Sequence, residues 1–384
     1  MWRPSSDAEA AMRNLLRFSA LGVVCVAAVM SGCGGSKEPP PSSAGATTPA
    51  PAPPATPALP SGPLLYVSDE TGGSVVVIDP EAGQVVDRIA VGKRPRGIRL
   101  SRDGRELLIA LSGSAIGGPG VDESKLPPPD RSADGIGVVD LATHKLVRKY
   151  ESGDDPEVFD MSPDGSTIYV SNEDAAEASI VDVASGKIAA RIKVGAEPEG
   201  VTVNPDGTLV FVTSEETGDV AVIDTRTRQL LTRIKTGPRP RSVTFSKDGV
   251  LAFVPSETAG LISVIDVPKR KVVKTIQLPK IEGAETAPRP MGGILSHDGT
   301  LLFMSLGRAS AVAVIDVASQ KLVRTITEVG ARPWGMALSA DGSKLFTANG
   351  PSGDVSIIDV AAGKVLKKVS TGGSPWGVVV ATRR

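Results

Sequence analysis

From residue 64 onward, short β-branched apolar runs alternate with turns carrying Asp and Gly, and the alternation recurs at a fixed interval. The unit beginning at Gly195 reads GAEP, EGVTVN, PDGT, LVFVTS, EETG, DVAVID, TRTRQ, LLTRIKTG. Alternating or near-continuous apolar runs of this length predict strands, and the Asp-Gly and Gly pairs between them predict tight hairpins. An Asp closes the third strand of each unit, at Asp79, Asp140, Asp182, Asp224, Asp266, Asp316 and Asp359, with spacings of 61, 42, 42, 42, 50 and 43. A period of 42 with insertions of 19, 8 and 1 accounts for every interval. Self-similarity of this length, built from four strands per unit, predicts propeller blades.

The ends of the repeat region supply an independent test. The 17 residues from Pro63 to Asp79 and the 25 that follow Asp359 together make one period. Aligning Pro375-Trp376-Gly377 on Pro333-Trp334-Gly335 brings Pro63 into register. The predicted fold is therefore all-β: a seven-bladed propeller of four antiparallel strands per blade, spanning 63–384 as one domain. One blade takes three strands from the N-terminus and its innermost strand from the C-terminus, a closure expected to leave no free sheet edge.

Ahead of the repeats, Arg13 and Arg17 precede an apolar run of 13 residues, Phe18 to Met30. That is short of the ~20 needed to span a bilayer, so it reads as a signal peptide, starting at Met1 or Met12. Met30-Ser31-Gly32-Cys33 resembles the lipobox of bacterial lipoproteins. The resemblance implies cleavage after residue 32, lipidation of Cys33, and an extracytoplasmic protein held to the membrane by its N-terminus. Gly34 in place of Asp favours the outer membrane, facing the periplasm, if the source is Gram-negative. Residues 33–62 contain nine prolines and no apolar periodicity, the composition of a disordered tether.

The units also resemble the YVTN-type β-propeller repeat, through Tyr66-Val67-Ser68-Asp69, Tyr169-Val170-Ser171-Asn172, Phe211-Val212-Thr213-Ser214 and Phe346-Thr347-Ala348-Asn349. Ser-Pro-Asp-Gly at 162–165 and Val-Ile-Asp at 222–224 extend the match. The resemblance specifies a fold and leaves the function open.

Composition narrows the chemistry. Lys+Arg 42 against Asp+Glu 43 gives a net charge of −1, which argues against nucleic acid as a partner. Two His and two Cys offer little for a metal cluster, a haem attachment or a disulfide framework. His144 and His297 fall in turns expected to be solvated, on the face opposite the one argued next.

Both large insertions, near Ser112–Arg131 and Pro279–Ala287, fall in loops expected on one face. On that face the chain enters each innermost strand through x-Pro-x-Gly, so the positions flanking the proline should ring the mouth of the central channel. They are Arg94/Arg96, Asp155/Glu157, Glu197/Glu199, Arg239/Arg241, Arg289/Met291, Arg332/Trp334 and Ser374/Trp376. An acidic arc is thus expected to face an Arg-rich arc that includes two adjacent tryptophans, a set suited to anions and flat rings. The sequence reads as a monomeric, non-catalytic module without cofactor, binding a protein or small ligand at this mouth. The alternative is a metal-dependent, lactonase-like hydrolase using the mouth carboxylates with Asn172 and Asn349 as oxygen ligands.

Overall fold

The computed structural model describes residues 60–117 and 121–382. The chain divides into two units at Thr56/Pro57, and the second carries the repeats. Cys33, the signal segment and nearly all of the tether lie outside the described residues.

Among the described residues, twenty-eight strands, β1 to β28 in chain order, form seven four-stranded sheets. Blades 1 to 6 take their strands consecutively, from β4 (Pro95–Leu100) to β27 (Lys364–Ser370). Blade 7 joins β28 (Pro375–Thr382), β1 (Pro63–Asp69), β2 (Ser74–Asp79) and β3 (Gln84–Ala90) in that order, with β28 hydrogen-bonded to β1. Pro63 pairs with Thr382 and Tyr66 with Val379, so the two ends of the described chain close one sheet as the register predicted. Closure does not remove every edge. The outermost strand of each blade leaves one side unpaired, and charged residues such as Lys145, Arg148 and Lys149 on β7 (Lys145–Tyr150) guard it. The inner strands of blades 4 and 5 are also shorter than expected, reduced to Thr244–Phe245 and Gly293–Leu295.

The repeated polar residues have local duties. Each third-strand Asp caps the turn that follows: the Asp140 carboxylate accepts from Thr143 N–H at 2.7 Å, and Asp224 from Thr227 N–H at 2.6 Å. The hydroxyl of the YVTN-like motif joins neighbouring blades. Ser68 accepts from Gly377 N–H in its own blade at 2.9 Å and donates to Arg96 C=O in the next at 2.6 Å. Ser305 repeats this pattern with Gly292 N–H and Trp334 C=O, at 2.9 and 3.2 Å. The glycine of x-Pro-x-Gly lets these blades approach. A Cβ on Gly335 would stand 2.7 Å from the Gly377 Cα, and one on Gly200 would stand 2.6 Å from Arg241 C=O.

His144 departs from expectation. Its side chain is buried, with Nδ1 2.6 Å from the Asp87 carboxylate and Nε2 3.1 Å from the Tyr66 hydroxyl. It locks blade 1 to blade 7. His297 lies in an exposed turn, as expected.

Candidate functional site

The x-Pro-x-Gly segments begin with an unusual backbone. Arg94, Asp155, Glu197, Arg239 and Arg332, each directly before a proline, have φ between 42° and 54°. Left-handed geometry at a non-glycine residue costs on the order of 1 kcal/mol or more and persists only where the surroundings hold it. Here a backbone bond does so: the C=O of Asp155, Glu197 and Arg239 accepts from the N–H of Glu173, Glu215 and Glu257, at 3.0, 2.9 and 3.0 Å. In these three blades the pre-proline residue is thereby tied to the glutamate that follows the second strand.

The result is a funnel of about 1220 Å³ at one end of the channel. Of the predicted mouth residues, Arg94, Asp155, Glu157, Glu197, Glu199, Arg239, Arg241, Arg289, Arg332, Trp334, Ser374 and Trp376 line it. Two do not. Arg96 and Met291 are each 1% exposed, because their side chains pack beneath the rim. The first insertion contributes Ser114–Gly117 and Leu126–Pro129 to the wall. The second instead packs Ile281 and Ala284 against the core of blades 4 and 5.

Acidic and basic arcs do not face each other as separate fields. Arg96 reaches into blade 2, where it pairs with Asp155 and Glu157 and lies 3.6 Å from Glu173. Arg241 is held by Glu199, Glu215 and Glu257, the last at 2.6 Å. Arg94 sits 3.1 Å from Glu70, and Arg289 3.6 Å from Glu257. Buried charges must be neutralised locally, so long arginines cross blade boundaries to find carboxylates.

Glu70, Glu173, Glu215 and Glu257 are the partners that the mouth prediction missed. Their signal was present: each directly follows the second-strand motif, in Val67-Ser68-Asp69-Glu70, Ser171-Asn172-Glu173, Thr213-Ser214-Glu215 and Pro255-Ser256-Glu257.

Burial pushes the Glu157 carboxyl well above the ordinary glutamate range, against the pull of Arg96 and with added repulsion from Glu173 and Glu199. Glu173 and Glu199 are raised too, chiefly by burial, and Glu157 and Glu173 share a hydrogen bond between their carboxyl groups. At Asp155 burial is outweighed by Arg96, Ser112 and Arg94, which hold that carboxylate below its usual range. A carboxyl with a raised pKa keeps its proton longer in the folded state than in the unfolded chain. Its stabilising contribution is full below the ordinary glutamate pKa of about 4.3 and is lost as pH rises through the folded value. Glu157→Gln is therefore expected to flatten the fall in Tm between acid and alkaline pH, as measured by thermal melts across a buffer series. An unchanged slope would place the proton elsewhere.

The metal alternative does not fit this geometry. Among the described residues no group of three or more His, Cys, Asp or Glu is placed to hold a metal ion. The mouth carboxylates instead hold guanidinium groups. Asn172 and Asn349 are fully buried inside their own blades, donating to Ser179 and to Asp354 and Ser356.

The Trp pair closes the funnel floor. Trp334 and Trp376 have ring centroids 5.1 Å apart at 34°, and the Arg241 and Arg332 guanidinium groups lie 5.1 and 5.3 Å from the Trp334 centroid. Arg332 and the exposed Arg308 form no ion pair with a carboxylate among the described residues, although both line the funnel. Burial, and then the neighbouring Arg241 cation, lower the basicity of Arg332.

Residues 121–208 match the YNCE-like β-propeller family model, and residues 230–381 match the model of the seven-bladed lactonase β-propeller. No curated protein matches the sequence. Among solved structures, the periplasmic gluconolactonase of Pseudomonas aeruginosa is 21% identical, with a TM-score of 0.67, over 83% of this chain and 99% of its own. A putative 6-phosphogluconolactonase from Bacteroides uniformis is 16% identical, with a TM-score of 0.67, over 84% and 100%. A chain of Kuenenia stuttgartiensis hydrazine synthase is 20% identical, with a TM-score of 0.61, over 75% and 95%. At these identities the likeness establishes the fold alone.

Proposed function

We propose that the funnel binds a small anionic ligand carrying a ring or another flat, largely uncharged body. The observation that carries this reading is Arg332. Among the described residues it is a cation without a carboxylate partner, beside a second cation and against an indole face, while the buried Arg96 and Arg241 are paired. A carboxylate or phosphate seated there would satisfy Arg332 and Arg308, while the body of the ligand covers Trp334.

A second reading, lactone hydrolysis, has its own support in the lactonase family match over 230–381. The Glu157–Glu173 carboxyl pair on the funnel wall could then supply a base to water. This reading needs no metal.

Both are tested on one set of proteins. Calorimetric titration of the full chain with benzoate and phenyl phosphate should show saturable binding, weakened about tenfold or more in Arg332→Gln. Absence of binding, or indifference to Arg332→Gln, would overturn the anion site. Ring opening of glucono-δ-lactone above the spontaneous rate, lost in Glu173→Gln, would establish the hydrolytic reading. No rate above background would reject it.

A further inference from the structure

The first insertion is where the funnel departs most from seven-fold repetition. Between their second and third strands, blades 3 and 6 span four residues, 215–218 and 350–353, whereas blade 1 spans 112–134. The excursion is pinned at its neck. Asp130 N–H donates to Gly113 C=O at 3.0 Å, and a Cβ on Gly113 would overlap the Asp130 carbonyl oxygen, so the chain leaves and returns through one point. Ion pairs flank the neck, Lys93 with Asp130 at 2.7 Å and Arg131 with Asp174 of blade 2 at 2.5 Å. The Ser114 hydroxyl donates to Asp174 at 3.0 Å, and Arg94 donates to Ser114 and Ala115 C=O at 3.4 and 3.3 Å. A loop closed at its ends and tied to the pre-proline Arg94 holds its side chains in place at the funnel.

What the loop brings is apolar. Among the described residues, the funnel wall has two Ile, Leu, Val or Met side chains, Ile116 and Leu126, and both belong to the insertion. Ile116 is 43% exposed. One exposed aliphatic residue is ordinary on a protein surface. Two that converge on a wall otherwise made of charged and small residues are apolar area that a ligand can remove from water. Their place on the ring matters as well. Blade 7, with Trp376, stands between blade 6, with Arg332, and blade 1, with the insertion. An anion held at Arg332 therefore has the indoles beside it and the aliphatic wall one blade further on.

We infer that the insertion is the specificity element of the funnel, and that the ligand is an anion with an elongated apolar arm, its head at Arg332 and its arm against Ile116 and Leu126. The inference rests on the anion reading above and narrows its ligand class. Against this wall a polyhydroxylated body loses water from its hydroxyls without gaining a partner, whereas an aryl arm buries apolar area on both sides of the contact.

The test compares two probes with one head group, benzoate and biphenyl-4-carboxylate, by calorimetric titration of the full chain. The parent is expected to bind biphenyl-4-carboxylate about tenfold more tightly, the scale of roughly 60 Å² of apolar area buried. Two variants remove the wall: Ile116→Ser with Leu126→Ser, and a chain in which Asn-Gly, a two-residue turn, replaces residues 114–129. In both, the ratio of the two Kd values should fall close to one. Arg332→Gln should weaken both probes and keep the ratio. Circular dichroism confirms folding, and either wall variant suffices if the other fails to fold. A parent ratio near one, or the parent's ratio in a folded wall variant, overturns the inference, while benzoate binding that depends on Arg332 leaves the anion site standing. If benzoate does not bind, or binds regardless of Arg332, the anion site falls and this inference with it.

Discussion

Arg241→Met is expected to destabilise the propeller by about 3–5 kcal/mol, the usual cost of removing one partner from a buried ionic cluster. The guanidinium is 7% exposed and is the shared counter-ion of Glu199, Glu215 and Glu257, contributed by two blades. Methionine fills a similar volume but leaves three carboxylates close together, each of which must then take a proton or repel its neighbours. Chemical denaturation at neutral pH measures the loss. It should shrink in acid, where protonation removes the repulsion. Adding Glu199→Gln, Glu215→Gln and Glu257→Gln to Arg241→Met should recover most of the stability, because a neutral cluster has no uncompensated charge. A single variant as stable as the parent would show that the cluster contributes nothing net to the fold.

Deleting residues 375–384 is expected to have a still larger effect, abolishing cooperative unfolding. These residues include β28, the innermost strand of blade 7, which pairs with β1 along its length. Without it, β1 gains a bare edge at the channel, and the glycine seam formed by Gly335, Gly377 and the start of blade 1 is lost. The complementary experiment joins Arg384 to Pro63 by a short Gly-Ser linker and opens the chain between Gly373 and Ser374. Because Pro63 and Thr382 are paired, this permuted chain should fold with a single transition. A truncated protein with the parent's melting curve would mean that ring closure is unnecessary.

The fold was legible because a propeller blade is specified locally. Four short strands, an Asp capping the third-to-fourth turn and an Asp-Gly between the first two each act within a few residues, so repetition exposes them to inspection. The mouth residues were legible for the same reason: proline marks where each inner strand begins. What the mouth residues do was not legible. Sequence order assigns Asp155, Glu157, Glu197 and Glu199 to one arc and the arginines to another, and only side-chain reach shows that Arg96 and Arg241 cross to the acids of an adjacent blade. The four glutamates after the second strands are absent from the other three blades, so they stand outside the repeat, and only the fold brings them to the mouth.

His144 and the Trp pair illustrate the remaining gap. A histidine in a turn looks solvated until the neighbouring blade brings Tyr66 and Asp87 to it. Nothing in a list of inner strands shows that Trp334 and Trp376 tilt together and close the funnel floor. The seven blades, their closure and the ring of positions aimed at the channel follow from periodicity and turn chemistry. Which charges are neutralised, which cations stand apart from a carboxylate among the described residues and where the funnel lies are set by the folded structure. Those properties depend on distances between side chains of different blades, and a repeat pattern does not encode them.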